Sequence, residues 1–358
     1  MPSYRAFLPM LCLLTGLHAA SAQAAAPLPA LGATPKETTV SGLSSGAFMA
    51  AQFSVIHSAS IRGAGIVAGG PYYCAGLGSG SGAERFMATA SGDCMHPEGP
   101  APSGAMAWIG AQKAAEKGYI DAAENVKRQR LYIFTGAADS IVWPKVVAQT
   151  REFYRSAGVP DEQVRYVDNV NAGHALITAN PKDVPCADNA PPNLNNCGFI
   201  QSHDILRHLY GPLKAPAPEA TGRIVDFDQT EFIDSTDYTG LSDVGHVYIP
   251  KSCEKGGCRV HVAFHGCTQE DNRIGDRYYT TTGYNELADT NRIIVLYPQI
   301  RTNEARNPMG CWDFWGYSSA NPARPDFFKK SAPQSAAVFA MLQQLYTPLP
   351  ASAKSLKP

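Results

Sequence analysis

Three residues in this sequence could form a nucleophilic relay, each just past a run that reads as a β-strand: Ser44, Asp139 and His174. Ser44 lies in Val40-Ser41-Gly42-Leu43-Ser44-Ser45-Gly46-Ala47, where β-rich Thr38-Thr39-Val40 gives way to a helical pattern. A serine hydroxyl is a weak nucleophile unless a base takes its proton as it attacks. Gly-x-Ser-x-Gly is the sequence form of a sharp strand-to-helix turn that exposes the serine, with glycines where larger side chains would clash. The helix that follows aims its first N–H groups and positive dipole end at the place where an oxyanion would form. Asp139 follows the apolar run Gln129 to Thr135, and His174 follows Gln163 to Val167 in Ala172-Gly173-His174-Ala175. His174 would accept the serine proton; Asp139 would hold the imidazole tautomer and stabilise its charged form. Taken singly, an aspartate after a strand is more often a turn or cap residue, and a loop histidine a surface one. The succession of all three at successive strand ends is what points to chemistry, because parallel sheets gather functional groups at those ends. Asp161 and Asp168 are the rival acids. His203 and His208, the rival bases, read as helix-surface positions.

A fourth stretch, Val262-Ala263-Phe264-His265-Gly266-Cys267-Thr268-Gln269, is a strand ending in His-Gly. The glycine lets the backbone turn so that the Cys267 N–H faces a substrate oxygen, and the Ser45 N–H would be the second donor of an oxyanion hole. His265 is then structural. The order Ser, Asp, His is that of α/β-hydrolases.

The elements around these residues must supply such strand ends. The 358-residue chain is 44% hydrophobic and 17% charged, with 32 Gly and 27 Pro, which suits one large α/β domain with elaborated loops and no fibrous or disordered class. A net charge of -1 gives no basic field for nucleic acid and no polybasic stretch for anionic lipid. Arg5 precedes an apolar run from Ala6 to Leu17, with small residues at Ala20-Ser21-Ala22 and Ala22-Gln23-Ala24, so residues 1–24 read as a secretory signal peptide. No later stretch is long and apolar enough for a spanning helix. Residues 25–358 read as a single catalytic domain, exported and soluble.

Of the nine cysteines, Cys12 falls in the signal and the other eight can pair. Local spacing favours Cys74–Cys94, Cys186–Cys197 and Cys253–Cys258, leaving Cys267–Cys311. A zinc site at Cys253 and Cys258 is the rival reading, but no second close pair accompanies them, and an oxidising compartment favours disulfides.

Further strands are expected at Gly63 to Gly70, Arg223 to Phe227, Val244 to Ile249, Cys258 to Phe264 and Arg292 to Tyr297. Helices are expected at Phe48 to His57, Ala105 to Lys117, Pro144 to Arg155, His203 to Leu209 and Ser335 to Leu345. Pro71 to Pro102 reads as loop, Pro181 to Asn196 as a Pro/Asn-rich loop, and Pro212 to Pro218 as the one linker-like stretch. This alternation predicts a mostly parallel sheet covered by helices on both faces. In the usual α/β-hydrolase the His-Gly strand precedes the nucleophile, whereas here it follows. Reading from Arg223 to the C-terminus and on from Thr38 restores the familiar succession, so the chain reads as circularly permuted, which is cheap when termini lie together.

With that order the sequence resembles extracellular poly(3-hydroxybutyrate) depolymerases whose lipase box lies near the mature N-terminus. The matching segments are Gly42-Leu43-Ser44-Ser45-Gly46, Gly136-Ala137-Ala138-Asp139, Gly173-His174-Ala175, His265-Gly266-Cys267-Thr268-Gln269 and Cys311-Trp312-Asp313-Phe314-Trp315. The resemblance implies an esterase acting on polyester polymer or oligomers, with Ser44, Asp139 and His174 as triad and Ser45 and Cys267 as oxyanion donors. It also implies an aromatic surface near Cys311, with Trp312 and Trp315 as substrate contacts. No metal or organic cofactor is called for, and a monomer is expected. Many such depolymerases add a polymer-binding domain; nothing before Pro358 reads as one, so polymer contact is expected on the catalytic surface itself. An esterase for small or plant-derived esters, of the feruloyl-esterase kind, would use the same machinery. A polymer-binding protein that kept an inactive hydrolase fold is the reading from another class, and the intact triad argues against it.

Overall fold

The computed structural model describes residue 2 and residues 25–79, 82, 84–234 and 238–350. Apart from residue 2, the signal-peptide reading for 1–24 lies outside the described residues, as does Cys12. In chain order the elements are β1 (Thr38–Leu43), α1 (Ser45–Ile56), β2 (Ile61–Val67), α2 (Glu84–Ser91), α3 (Gly104–Glu116), β3 (Arg130–Gly136), α4 (Pro144–Ser156) and β4 (Val164–Val170). Then come β5 (Leu176–Thr178), β6 (Val184–Pro185), β7 (Leu194–Asn196), α5 (Gln201–Tyr210), β8 (Arg223–Asp228), β9 (Val244–Ile249) and β10 (Arg259–Phe264). The last are α6 (Asp271–Ile274), α7 (Arg277–Thr280), α8 (Tyr284–Asn291), β11 (Ile293–Tyr297) and α9 (Pro333–Tyr346).

Eight strands form one sheet in the order β4-β3-β2-β1-β10-β11-β9-β8. The first six are mutually parallel, and β9 and β8 continue the sheet antiparallel. Strand β1, which leads into Ser44, is central, with β2 on one side and β10 on the other. Its residues are buried throughout, as a strand covered on both faces must be. A chain entering at β8 and passing from α9 into β1 would cross this sheet with one exchange of neighbours, β10 for β11. The two described ends support that reading. Leu31 and Ala33 donate to the Leu345 carbonyl, and Gly32 donates to that of Thr347, so residues 31–33, shortly before β1, lie along the end of α9.

The stretch that reads as a linker is tied down at both ends. Lys214 N–H donates to Asn291 Oδ1 at 2.8 Å and Ala217 N–H to the Glu286 carbonyl at 2.9 Å, and strands on both sides of it enter the same sheet. Pro181 to Asn196 is likewise not bare loop, since β5, β7 and β6 form a small parallel sheet there. In the stretch expected to be loop, α2 spans two turns and buries only Phe86, Thr89 and Ala90.

Helix α1 is buried on every side, more than its spacing of Phe48, Ala51 and Val55 predicts. One face packs on β1 and β2. The other lies under the loop before α9, where Gln52 Nε2 donates to the Asp313 and Phe327 carbonyls at 3.3 and 2.5 Å.

Three buried histidines set the response of this core to acid. His261 bridges Thr39 and Ser41 across the β1–β10 pair, both at 2.7 Å. His57 stacks on Phe339, and His265 lies beneath the oxyanion loop. Burial lowers the first two from 6.5 to about 3 and His265 to about 4. Between those values and 6.5 the unfolded chain binds more protons than the folded one. Stability is therefore full above about pH 6.5 and is lost as pH falls through that window. The melting temperature should drop between pH 7 and pH 4.5; a flat profile would contradict the neutral assignment.

Candidate active site

Ser44 follows the last residue of β1 with φ 55° and ψ -123°, a strained conformation for a residue with a side chain. The turn demands glycine on both sides. A Cβ on Gly42 would run into the Gly46 backbone and lie 2.8 Å from the Phe264 carbonyl oxygen, and one on Gly46 would run into the backbone of Phe264 and His265. Ser44 N–H is held by the Val67 carbonyl of β2 at 3.0 Å, which fixes the elbow to its neighbouring strand.

Asp139 stands just past β3, and His174 on the loop after β4. His174 Nδ1 lies 2.9 Å from Asp139 Oδ2, with both residues 5% exposed. The other carboxylate oxygen, Oδ1, accepts the Ile141 and Val142 N–H groups at 2.9 Å each. That division leaves one Asp139 oxygen for the ring and fixes its direction. Ser44 and His174 line the same cavity of about 380 Å³, as do Ser45 and Cys267. Among the described residues the Ser44 hydroxyl makes no hydrogen bond; such links are often long before substrate closes them. The N–H groups of Ser45 and Cys267 have no protein acceptor among the described residues and are free for an oxygen in the cavity.

The loop after β10 is built tightly against Ser44. A Cβ on Gly266 would sit 3.5 Å from that of Ser44. Thr268 takes φ 61°, unusual for a β-branched residue, and its N–H donates to the Met309 carbonyl at 2.7 Å. His265 has both ring nitrogens engaged: Nδ1–H donates to the Gly266 carbonyl at 2.7 Å, and Nε2 accepts the Ile300 N–H at 3.1 Å. A neutral ring so committed cannot serve as the base.

Four disulfides are formed: the three that spacing favours, Cys74–Cys94, Cys186–Cys197 and Cys253–Cys258, and the pair left over, Cys267–Cys311. Cys267–Cys311 ties the oxyanion loop to the Cys-Trp-Asp-Phe-Trp segment, 44 residues away in sequence. The second pins the loop after His174, where Gly173 N–H donates to the Cys186 carbonyl at 2.8 Å.

The two tryptophans part company. Trp312 is fully buried, edge-on to Phe264 with ring centroids 4.8 Å apart, and its backbone N–H donates to Ser45 Oγ at 3.2 Å. It supports the elbow from behind and does not line the cavity, which corrects its assignment as a substrate contact. Trp315 does line the cavity, as do Phe48 and Phe314, whose rings stack at 4.1 Å. Asp313 shapes this wall. Its Oδ1 accepts the Trp315, Gly316 and Tyr317 N–H groups at 3.1, 2.6 and 3.2 Å, and its Oδ2 accepts from Ser318. Burial still pushes its carboxyl above the usual range.

Of the rival bases, His203 is buried and not on a helix surface; its Nε2 meets the Gly283 carbonyl at 2.9 Å. His208 meets the Gln163 carbonyl at 2.9 Å. Neither lines the cavity.

Three amides that sequence reasoning missed hold the loops together. Asn189 Oδ1 accepts from His174 N–H at 2.9 Å and Ser140 N–H at 3.1 Å, while its Nδ2 donates to the Ala138 carbonyl at 2.9 Å. It thus joins the acid loop to the base loop. Asn193 Nδ2 donates to the His174 carbonyl at 2.8 Å. Gln269 Oε1 accepts from Gly266 N–H, and its Nε2 donates to the Pro192 carbonyl, both at 2.7 Å, joining the oxyanion loop to the base loop. Asn189→Ala should lower kcat about tenfold, because it loosens the join between the Asp139 loop and the His174 loop; Asn189 also lines the cavity, so KM should rise as well. Steady-state kinetics that match wild type would count against this role.

The sheet, the elbow and the cavity together define an α/β-hydrolase with a permuted strand order. No family model matches the chain. Among curated proteins, the poly(3-hydroxybutyrate) depolymerase of Delftia acidovorans is 39% identical over 331 residues, covering 91% of this chain and 63% of that protein. The polyhydroxybutyrate depolymerase of Talaromyces funiculosus is 34% identical over 332 residues, covering 86% of this chain and 90% of that one. Among solved structures, the PHB depolymerase of Penicillium funiculosum superposes with TM-score 0.79 at 29% identity, over 90% of this chain and all of that one. A serine-to-alanine PHB depolymerase complexed with an R3HB trimer matches to the same extent. The chain belongs to the poly(3-hydroxybutyrate) depolymerase family.

Proposed function

We propose that residues 25–358 act as one exported serine esterase that hydrolyses poly(3-hydroxybutyrate)-type polyester and its oligomers. One observation carries the reading: Ser44, the Asp139-paired His174, Ser45 and Cys267 all line a single cavity with Phe48, Phe314 and Trp315. Ser44 Oγ attacks the ester carbonyl while His174 Nε2 takes its proton. The oxygen, now negative, is received by the Ser45 and Cys267 N–H groups. His174 then protonates the departing alcohol, and water activated by the same nitrogen releases the acid from Ser44. Four disulfides fit an oxidising compartment, and no described helix is long and apolar enough to cross a membrane.

Apolar side chains ring the cavity mouth. Met87, Ile141 and Met309 are 47%, 36% and 51% exposed, an arrangement suited to a water-insoluble chain. The test is to incubate the purified protein with polyhydroxybutyrate film beside a feruloyl ester. Soluble 3-hydroxybutyrate oligomers from the film are expected; turnover of the aryl ester with an untouched film would refute the substrate assignment.

A further inference from the structure

Among the described residues that line the cavity, His174 and Arg306 are the only ionisable ones, and none is a carboxylate. The Arg306 guanidinium is exposed and sits 4.7 Å over the Tyr238 ring, with no ion-pair partner among the described residues. The turn that carries it is fixed. Arg306 N–H donates to Asn303 Oδ1 at 3.1 Å, and Asn307 N–H donates to the Asn303 carbonyl at 2.8 Å. The Asn307 amide grips both the N–H and the carbonyl of Cys311 at 2.9 Å, which itself is bonded to Cys267 of the oxyanion loop. A lone cation is thus held at fixed register to the oxyanion hole, in an otherwise apolar cleft.

We propose that Arg306 receives the terminal carboxylate of a hydroxyacid oligomer and so sets the direction in which the chain lies across Ser44. The inference rests on the polyester reading above. A linear oligoester has one carboxylate, and it lies on the alcohol side of every ester bond. An arginine that holds it before cleavage therefore stands on the leaving-group side. The Ser44 Oγ–C bond forms first, giving the tetrahedral adduct, and the acyl C–O bond then breaks as the serine proton passes through His174 to the departing oxygen. The fragment that leaves is the hydroxyacid held by Arg306. Short acids would then be cut from their carboxylate end.

The test compares 3-hydroxybutyrate trimer as free acid and as methyl ester, assayed in the same enzyme preparation so that any loss of folded protein cancels. Wild type should favour the free acid by about fivefold in kcat/KM at low salt, less at high salt, as expected of a half-solvated ion pair. Arg306→Met should bring the ratio to about one, and Arg306→Lys should keep part of it. Equal use of both trimers by wild type, or an unchanged ratio in Arg306→Met, overturns the proposal. Turnover of p-nitrophenyl butyrate with neither trimer cleaved would instead refute the polyester reading beneath it.

Discussion

Ser44→Ala should abolish ester hydrolysis, with kcat falling on the order of 10⁵–10⁶-fold, while the protein stays folded. The hydroxyl is the atom that would bond to the acyl carbon, and no neighbouring group can replace it. Ser45 Oγ already accepts the Trp312 N–H and belongs to the buried first turn of α1. Folding should survive because alanine at φ 55° meets the same backbone restriction as serine, and among the described residues the Ser44 hydroxyl makes no hydrogen bond that would be lost. Residual turnover near the wild-type rate would place the chemistry elsewhere; a collapsed melting transition would show that the hydroxyl has a structural role not seen here.

Asp139→Asn should be nearly as severe, about 10⁴-fold in kcat. The reason lies in how the carboxylate is divided. Its Oδ1 accepts two N–H groups, from Ile141 and Val142, so an asparagine must place its carbonyl oxygen there. Its NH₂ is then turned toward His174 Nδ1, which has to become the acceptor. The ring proton moves to Nε2, the nitrogen that must be free to take the serine proton. Binding should change little, so the loss should appear in kcat and not in KM. A variant that keeps a tenth of wild-type turnover would mean that the aspartate does not fix the tautomer.

These two effects follow from residues that could be read in the chain before any coordinates. The elbow was legible because Gly42 and Gly46 are forced by backbone contact, and such a requirement survives as residue type. Asp139 and His174 were legible because β3 and β4 announce themselves as β-rich runs, and the relay needs particular chemistry just past their ends. Three of the disulfides were suggested by sequence proximity, since those pairs close short loops, while the fourth joins cysteines 44 residues apart that proximity does not single out. Helix α2 was hidden because eight residues give too few repeats for a periodic signal, and its neighbours are rich in Gly, Ser and Ala.

Trp312 illustrates a different limit. The segment that carries it was recognised, but whether a tryptophan faces a ligand or the core depends on which side of the strand-to-helix elbow it packs. That is settled by Phe264 and Ser45, residues far away in sequence. His203 was misplaced for the same reason, because α8 and the turn at Gly283 cover its helix face. Asn189, Asn193 and Gln269 left no signal. An amide bonded to backbone carbonyls and N–H groups resembles any other loop amide until the loops are assembled.

The central claim is that residue 44 is a nucleophile activated by His174 in a formed cavity. A fluorophosphonate probe followed by peptide mass spectrometry tests it most directly, because only an activated serine beside an oxyanion hole attacks phosphorus quickly. One adduct is expected, on the peptide containing Ser44, formed slowly or not at all in His174→Ala. An active protein that takes no label there, or takes it on another serine, would contradict the account.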